Sequence, residues 1–584
     1  MGTLDWIVIG VFALALIGIV VWVVRQKQND SADYFLGGRD ATWIAIGASI
    51  FASNIGSEHL IGLAGAGASS GMAMAHWEIQ GWMILILGWV FVPFYTRSMV
   101  YTMPEFLERR YNPQSRTILS TISLISYVLT KVAVTVYAGG LVFQQVFGIE
   151  TLWGIDFFWI AAIGLVLLTA VYTVLGGMKS VLYTSVLQTP ILLLGSLIIL
   201  VLGFKALGGW DELMRICGDA VVVGNQLVGQ ASEGAQGSTM VELMRSNSDP
   251  QYPWLGALIG SAIIGFWYWC TDQYIVQRVL SGKDEREARR GTIFGAYLKL
   301  LPVFLFLIPG MIAFAMAKEG IVVNGEVFTL STPDAAFPTL VAKLLPAGVK
   351  GLVVCGILAA LMSSLASLFN SSAMLFTIDF YKRFKPQTPE KQLVRIGQMA
   401  TVVIVVLGIL WIPIMRSVGD VLYAYLQDVQ SVLAPGIAAA FLLGIAWKRT
   451  SAQGGMWALI SGLIIGLTRL GAKVYYSIMA GNAGYGSDVT KWASDNGVDN
   501  LFYNTFYAYN WLFFCGWMLV ACLLIAIIVS LLTPAPSAEK IQGLVFGTST
   551  AEQRAATRAS WNHWDVIHTV IILGITAAFY WYFW

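Results

Sequence analysis

The chain consists mainly of apolar stretches, each about 20 residues long, separated by short polar segments. A helix that crosses the hydrocarbon core of a bilayer needs a stretch of this length. By this criterion the sequence predicts an all-α polytopic membrane protein with fourteen transmembrane helices. Their approximate bounds are 5–25, 41–66, 76–96, 117–148, 156–176, 181–206, 254–280, 292–317, 347–380, 396–415, 419–447, 453–474, 509–533 and 564–584.

The second predicted span is interrupted by polar residues at its centre. These residues are Asn54, Gly56, Ser57, Glu58 and His59. Lipid cannot satisfy backbone groups that lose their helical partners at mid-membrane, and such groups persist only where they line a cavity or hold an ion. We therefore expect residues 52–59 to be unwound and to hold a ligand.

The seventh predicted span carries a second polar interruption, about 200 residues after the first. Its polar residues are Thr271, Asp272, Gln273, Gln277 and Arg278. Two discontinuous helices in corresponding positions are typical of transporters built from inverted repeats. The pattern predicts an N-terminal helix in 1–40 and two inverted repeats in 41–206 and 254–447, separated by an outer loop in 207–253. It also predicts three C-terminal helices in 448–584, with a cytoplasmic linker in 534–562.

Composition and charge place the chain in the membrane. Of its 584 residues, 57% are hydrophobic and only 12% are charged, which excludes an ordinary soluble domain. Lys and Arg concentrate in alternate loops, for example in 283–290 and 382–385. The positive-inside rule then predicts that both termini lie outside the cell. The first span lacks a basic n-region and a cleavage site, so we expect it to be retained.

Two charged residues lie in apolar surroundings. Glu78 is near one end of the third span, and Lys299 lies within the eighth. A helix-terminal position for Glu78 or snorkelling by Lys299 would explain them without a function. Otherwise the cost of burying charge in a membrane requires a polar cavity or an ion pair.

Hydroxyl and amide side chains mark two later spans. Ser363 and Ser364 follow Ala360 by one helical turn in the ninth span. Such residues often only allow close packing, but their neutral oxygens also suit a hard cation such as Na+. The eleventh span contains a polar seam at helical spacing, formed by Tyr423, Gln427 and Gln430.

Taken together, these stretches resemble the solute:sodium symporter family, in particular its sodium/glucose cotransporter branch. The matching stretches are DYFLGGRDATWIAIGAS, ASNIGSEHLIGLAGAGASSG, YTMPEFLERRY, WYWCTDQYIVQRVLSGK, YLKLLP, ALMSSLASLFNSSAMLFTIDFY, QSVLAPG and FYWYFW. The resemblance implies a LeuT-like 5+5 inverted repeat core of ten helices, with one helix before it and three after it.

The resemblance also implies specific binding residues. For Na+ it implies the carbonyls of Ala52, Ile55 and Ala360 and the hydroxyls of Ser363 and Ser364. For a sugar it implies Asn54, His59, Glu78, Tyr268, Trp269, Lys299 and Gln427. Tyr268 resembles the family's inner gate, and the outer lid is matched by Leu63, Trp77 and Tyr423.

Three positions depart from the family's pattern. Gly265 stands where sugar-transporting relatives often have Asn, Thr or Ser, which removes a hydrogen bond to substrate. Members with a second sodium site use an Asp at the position of Ser185 and often a hydroxyl residue at the position of Ala366. Both changes remove oxygen ligands, so we expect one Na+ per sugar.

The leading hypothesis is therefore a plasma-membrane symporter, in the inner membrane if the cell is bacterial, that uses Na+ as its coupling ion to import a glucose- or galactose-like hexose. Two alternatives stay open: a symporter for myo-inositol or another small polar solute, and a sugar-gated sensor or channel. An enzyme is disfavoured because no His residue has a zinc-type motif partner. The net charge of +2 gives no reason to expect nucleic acid as a partner.

Overall fold

The computed structural model describes residues 1–26, 30–56, 58–230, 237–415, 422–485 and 488–584. Within these ranges, eleven helical stretches are long and apolar enough to cross a membrane, and two shorter apolar helices accompany them. The chain is thus a multi-pass helical membrane protein. Several of the eleven stretches combine segments that the sequence pattern separates, so the number fourteen remains a prediction.

The first part of the chain is helical almost throughout because its apolar runs satisfy their backbone groups internally. The α-helices are Thr3–Arg25, Ser31–Leu36, Trp43–Asn54, Ala64–Ser70, Ala75–Glu78, Gly81–Ile86, Val92–Ser98, Met103–Arg110, Pro113–Ser126, Ala133–Phe147 and Phe157–Leu207. Glu58–Leu63, Leu87–Phe91 and Tyr127–Val132 are π-helical, and Gly37–Arg39 and Gly71–Met74 are 3-10 helical.

The helix Phe157–Leu207 is divided by a kink at Gly177, where φ is 53° and ψ is −145°. A Cβ at this position would lie 2.4 Å from the carbonyl oxygen of Tyr34. Only glycine therefore allows both the positive φ and the close approach. The kink falls between the predicted fifth and sixth spans, 156–176 and 181–206.

The segment predicted as a loop, 207–253, contains regular structure. The helix Trp210–Gly218 precedes three antiparallel strands, Ala220–Val223, Gln226–Gln230 and Ser238–Thr239, with Ala220–Val223 in the centre. Val223 pairs with Gln226 across a two-residue Gly-Asn turn. This sequence is a recognised hairpin signal, so the segment predicted as an outer loop contains a sheet that the prediction did not include. Thr151–Leu152 pairs antiparallel with Ile155–Asp156.

The second part of the chain is again mainly helical. Its α-helices are Trp254–Gly265, Gln273–Leu280, Glu285–Lys299, Ile308–Lys318, Ala336–Leu344, Val349–Met374, Lys382–Phe384, Glu390–Met415 and Leu422–Ala446. Phe266–Thr271, Val303–Leu307 and Leu375–Tyr381 are π-helical, and Pro333–Ala335 is 3-10 helical. Val322–Val323 and Glu326–Val327 form a short antiparallel pair.

The C-terminal part contains Ala452–Asn482, Val489–Asp495, Leu501–Tyr503, Trp511–Leu532, Ala538–Ile541, Ala551–Ala559 and His563–Tyr582, with a π-helical turn at Asn504–Ala508. Two of these helices, Ala538–Ile541 and Ala551–Ala559, lie in the predicted linker 534–562. Phe546 in the same linker donates its N–H to the carbonyl of Ile445 at 2.8 Å. The linker is therefore folded against the membrane helices.

The centre of the molecule is the helix Val349–Met374, nearly all of whose side chains are buried. It packs extensively against Phe157–Leu207 and also contacts Trp43–Asn54. By contrast, most side chains of Thr3–Arg25 are exposed, as expected for a helix that faces lipid. The small and hydroxyl residues of the central helix therefore face protein, and they include the predicted Na+ ligands Ala360, Ser363 and Ser364.

Candidate functional site

The first helix break lies where the polar residues interrupt the second span. Helical hydrogen bonding continues to Ile55, whose N–H donates to the carbonyl of Phe51 at 3.0 Å. Ile55 itself has φ −81° and ψ 110°, which is extended, and the helix resumes at Glu58. The break is therefore shorter than the predicted 52–59. Ser57 lies outside the described residues.

Three of the predicted sodium ligands lie close together, because the hydroxyl oxygen of Ser363 contacts two backbone carbonyl oxygens. The hydroxyl of Ser363 lies 2.5 Å from the carbonyl oxygen of Ala52 and 3.0 Å from that of Ala360. All three residues are buried. A hydroxyl has one proton and can donate it to only one of these two carbonyls at a time. The other carbonyl oxygen then receives no hydrogen bond from Ser363. Neutral oxygens in that arrangement suit a hard cation.

The other two predicted ligands lie beside this cluster. Ser364 Oγ is 3.0 Å from the hydroxyl of Tyr274, and Tyr274 donates to the carbonyl of Ser53. Ser53 Oγ in turn lies 2.6 Å from Ser367 Oγ. Hydroxyl contacts thus join the broken helix to the central helix along more than one turn. Ile55 occupies the break itself, where its backbone has left the helical conformation.

A cavity adjoins the same helix break. It is lined by Asn54, Glu58, His59, Trp77, Glu78, Gln80, Lys131, Val134, Thr135, Ile264, Gly265, Tyr268, Trp269, Tyr274, Lys299, Ser364, Leu368, Leu426, Gln427 and Gln430. All seven residues predicted to bind sugar are among these. The lining combines aromatic faces with hydrogen-bonding and charged groups, which is the composition of a small-molecule site.

A buried ion pair stands at the centre of the cavity wall. Lys299 Nζ lies 2.6 Å from Glu78 Oε2 and donates to Asn54 Oδ1 at 3.1 Å. Asn54 Nδ2 donates to the hydroxyl of Tyr268 at 3.1 Å, and His59 Nε2 is 3.3 Å from Glu78 Oε2. Lys299 therefore neither snorkels nor remains uncompensated, and Glu78 has a role beyond the helix end.

The second helix break lies at Asp272, which has φ −77° and ψ 127° between two helical segments. Its carboxylate accepts hydrogen bonds from Lys131 Nζ at 2.7 Å and from the hydroxyl of Tyr127. Lys131 Nζ also lies within 4.6 Å of the Tyr274 ring centroid and 4.7 Å of that of Tyr268. Sequence reasoning assigned no role to Lys131 because its partner is 141 residues away.

The predicted gates differ in position. Trp77 borders the cavity and stacks on Trp511, with ring centroids 5.6 Å apart and an angle of 17° between the ring planes. Tyr268 also borders the cavity. Leu63 is buried but does not line it, and the side chain of Tyr423 lies outside the described part of the chain.

The structure shows what each of the three residues that depart from the family's pattern contacts. Ser185 donates to the carbonyl of Val181 in its own helix at 2.6 Å. Ala366 is fully buried in the central helix. Gly265 lies against the amide of Gln80, a cavity residue that the sequence analysis did not identify. Gln80 follows Glu78 by two residues, and nothing in this spacing indicates that both would reach the same cavity.

Comparison with known proteins matches residues 34–462 to the family described as "Sodium:solute symporter family". The human sodium/myo-inositol cotransporter 2 is 38% identical, over 80% of this chain and 69% of that protein. The mouse sodium/glucose cotransporter 4 is 37% identical over 82% and 70%. The bovine sodium/mannose cotransporter is 35% identical over 99% and 96%.

A solved structure supports the same conclusion about the fold. The substrate-bound, outward-open structure of a Na+-coupled sialic acid symporter is 20% identical and superimposes with a TM-score of 0.68 over 92% of this chain and 99% of that chain. At this level of identity the similarity concerns the fold alone. From the family match, the extended similarity to its members and the shared fold, we conclude that the chain belongs to the sodium:solute symporter family and is a multi-pass, sodium-coupled transporter rather than an enzyme.

Proposed function

We propose that the protein imports a hexose-sized cyclic polyol together with Na+ by alternating access. The observation that carries this proposal is the cavity in whose wall Lys299, Glu78 and Asn54 form one hydrogen-bonded network. A pyranose ring presents hydroxyl donors and acceptors around apolar faces. The charged and amide groups suit the hydroxyls, and the rings of Tyr268 and Trp269 suit the faces.

Asn54 connects the proposed ion site to the proposed sugar site. It lies two residues after Ala52 and immediately before Ile55, whose carbonyls are proposed Na+ ligands. Its side chain contacts both Lys299 and Tyr268 in the sugar cavity. An ion that holds the two carbonyls would therefore hold Asn54 in position for sugar. Because coupling is reciprocal, sugar would in turn strengthen Na+ binding.

The proposed transport cycle uses two repeats, 41–206 and 254–447, within fourteen spans with both termini outside. Na+ enters first, is held by Ala52, Ile55, Ala360, Ser363 and Ser364, and stabilises an outward-open cavity. Sugar then binds, Trp77, Leu63 and Tyr423 close the outer side, and Tyr268 opens the inner side. The membrane potential contributes about 2.3 kcal/mol per charge per 100 mV.

We propose a stoichiometry of one Na+ per sugar. A second ion would need ligands at residues 185 and 366 by analogy with members that bind two. Here Ser185 carries no charge and donates within its own helix, and Ala366 has no oxygen. The carbonyl and hydroxyl cluster around Ser363 then serves the single coupling ion.

Myo-inositol is the second candidate substrate. It has the size of a hexose and a hydroxyl on every ring carbon, so it would use the same cavity groups. The specific observation in its favour is the 38% identity to sodium/myo-inositol cotransporter 2, which is as high as the identity to the hexose cotransporters.

The test is uptake of radiolabelled D-glucose, D-galactose, D-mannose and myo-inositol by purified protein in proteoliposomes. An inward Na+ gradient should drive accumulation of at least one of these solutes above its outside concentration, and an equal K+ gradient should not. A solute that only equilibrates while Na+ current flows would instead indicate a sugar-gated channel. The solute that accumulates to the highest ratio identifies the substrate class.

A further inference from the structure

The side chain of Gln80 is held against the continuous helical stretch Trp254–Thr271 at the wall of the proposed sugar cavity. Its Nε2 donates to the main-chain carbonyl of Ser261 at 2.8 Å, and its Oε1 accepts from Trp269 Nε1 at 3.2 Å. Only 3% of the residue is exposed. Gln80 is therefore rigidly placed beside Trp269, one of the aromatic residues of the site.

These two partners determine the orientation of the amide. A main-chain carbonyl can only accept and an indole N–H can only donate, so the nitrogen must face Ser261 and the oxygen must face Trp269. Each amide end has capacity for a second hydrogen bond. Within the described part of the chain, one N–H and one oxygen lone pair of Gln80 thus have no protein partner, at a residue that lines the cavity.

Gly265 provides the space that Gln80 occupies. A Cβ at residue 265 would lie 2.5 Å from Gln80 Oε1 and 2.9 Å from its Cδ. A side chain at 265 and the observed conformation of Gln80 therefore exclude each other. Ordinarily the flexible end of a glutamine could move aside at little cost, but here it is held by Ser261 and Trp269 on opposite sides.

We infer that Gln80 is a specificity-determining residue that binds one hydroxyl of the substrate, and that Gly265 is required for this role. The free N–H and the free lone pair can donate to and accept from a single hydroxyl. An ether oxygen or a methylene at the same place could use only one of them or neither. This inference rests on the proposed function, because it assigns a contact within the proposed sugar site.

The experiment measures competition by monodeoxy analogues against the solute that the wild-type protein accumulates best. For a hexose these are the 2-, 3-, 4- and 6-deoxy sugars, and for myo-inositol the monodeoxy inositols. Each is compared in the wild type, Gln80→Met, Gln80→Glu and Gly265→Ala, because a Cβ alone at residue 265 would displace Gln80 without adding a hydrogen-bonding group. Gln398→Met is the matched control, because Gln398 also donates to a main-chain carbonyl, that of Val174 at 3.1 Å, but does not line the cavity.

In the wild type and in Gln398→Met, one deoxy analogue should compete about 10-fold more weakly than the parent solute because it lacks the hydroxyl that Gln80 binds. In Gln80→Met and Gly265→Ala this difference should disappear for that analogue while the ratios for the other analogues stay unchanged. Gln80→Glu keeps the acceptor and should show an intermediate ratio.

If the Gln80 variants bind the parent solute and all analogues more weakly by the same factor, the inference is overturned, since this would indicate a packing role. Unchanged ratios in both Gln80 variants would also overturn it. A wild-type protein that accumulates none of the four solutes would instead contradict the proposed function, so the two failures are distinguishable. If Gln80→Met does not fold, the test is made with Gly265→Ala, which should abolish the difference, and with Gln80→Glu, which should reduce it.

Discussion

The hydroxyl of Ser363 lies 2.5 Å from the carbonyl oxygen of Ala52, although 311 residues separate them in the chain. Ala52 lies in the last turn before the first helix break, and Ser363 lies in the central helix Val349–Met374, most of whose residues are buried. A bound cation at this point would therefore connect the interrupted helix with the buried central helix.

Replacing Ser363 by alanine should raise the Na+ concentration for half-maximal uptake by about 10-fold or more, because one of the proposed ion's oxygen ligands is lost. Uptake at saturating Na+ should be largely retained. The measurement is Na+-dependent uptake in proteoliposomes. Ser461→Ala is the control, since Ser461 is buried and donates to the carbonyl of Ala458 in its own helix. Equal Na+ dependence in both variants would remove Ser363 from the ion site.

The buried pair of Glu78 and Lys299 should behave as a unit. Glu78→Gln or Lys299→Met alone leaves one charge without its main partner and should destabilise the protein by about 3–5 kcal/mol. The double variant should be destabilised less than the sum of the single variants. Thermal unfolding in detergent measures this, and uptake should be lost in all three because both groups are proposed sugar ligands. Additive destabilisation would mean that the two charges do not interact.

Asp272 should stabilise the second break in two separable ways, by its ion pair with Lys131 and by capping the helix that follows. Asp272 also caps the helix Gln273–Leu280 by accepting from the N–H of Tyr274. Asp272→Asn should keep this cap but weaken the contact to Lys131, whereas Asp272→Ala should lose both and be less stable by about 1 kcal/mol more. Thermal unfolding of the two variants, with and without Lys131→Met, separates the contributions. Equal stability of Asp272→Asn and Asp272→Ala would exclude the capping role.

The ratio of charge to sugar should be one in the wild-type protein. Substrate-induced current and radiolabelled uptake measured on the same proteoliposomes give this ratio, and the Hill coefficient for Na+ should be close to one. The double variant Ser185→Asp with Ala366→Ser supplies the missing oxygen ligands and should raise the Hill coefficient above one. Two charges per sugar in the wild type would refute the proposed stoichiometry.

Much of the architecture was evident in the pattern of residues. The apolar runs predicted a multi-pass helical protein, and the polar residues around Asn54 and Asp272 predicted the two breaks that the structure contains at 55–56 and 272. The predicted extent of the first break was wrong, because helical hydrogen bonding continues to the N–H of Ile55. The sheet in 207–253 was missed although its Gly-Asn turn is visible in the sequence.

The sequence by itself determined that the chain is a multi-pass helical protein with polar interruptions near Asn54 and Asp272, since backbone hydrogen bonds within a membrane helix connect residues only a few positions apart. Only the tertiary structure decided which polar groups meet: Ser363 with Ala52, Lys131 with Asp272, and Gln80 with the space left by Gly265. These contacts join helices that are far apart in the chain. They depend on how whole helices pack against each other, and local periodicity carries no information about that packing.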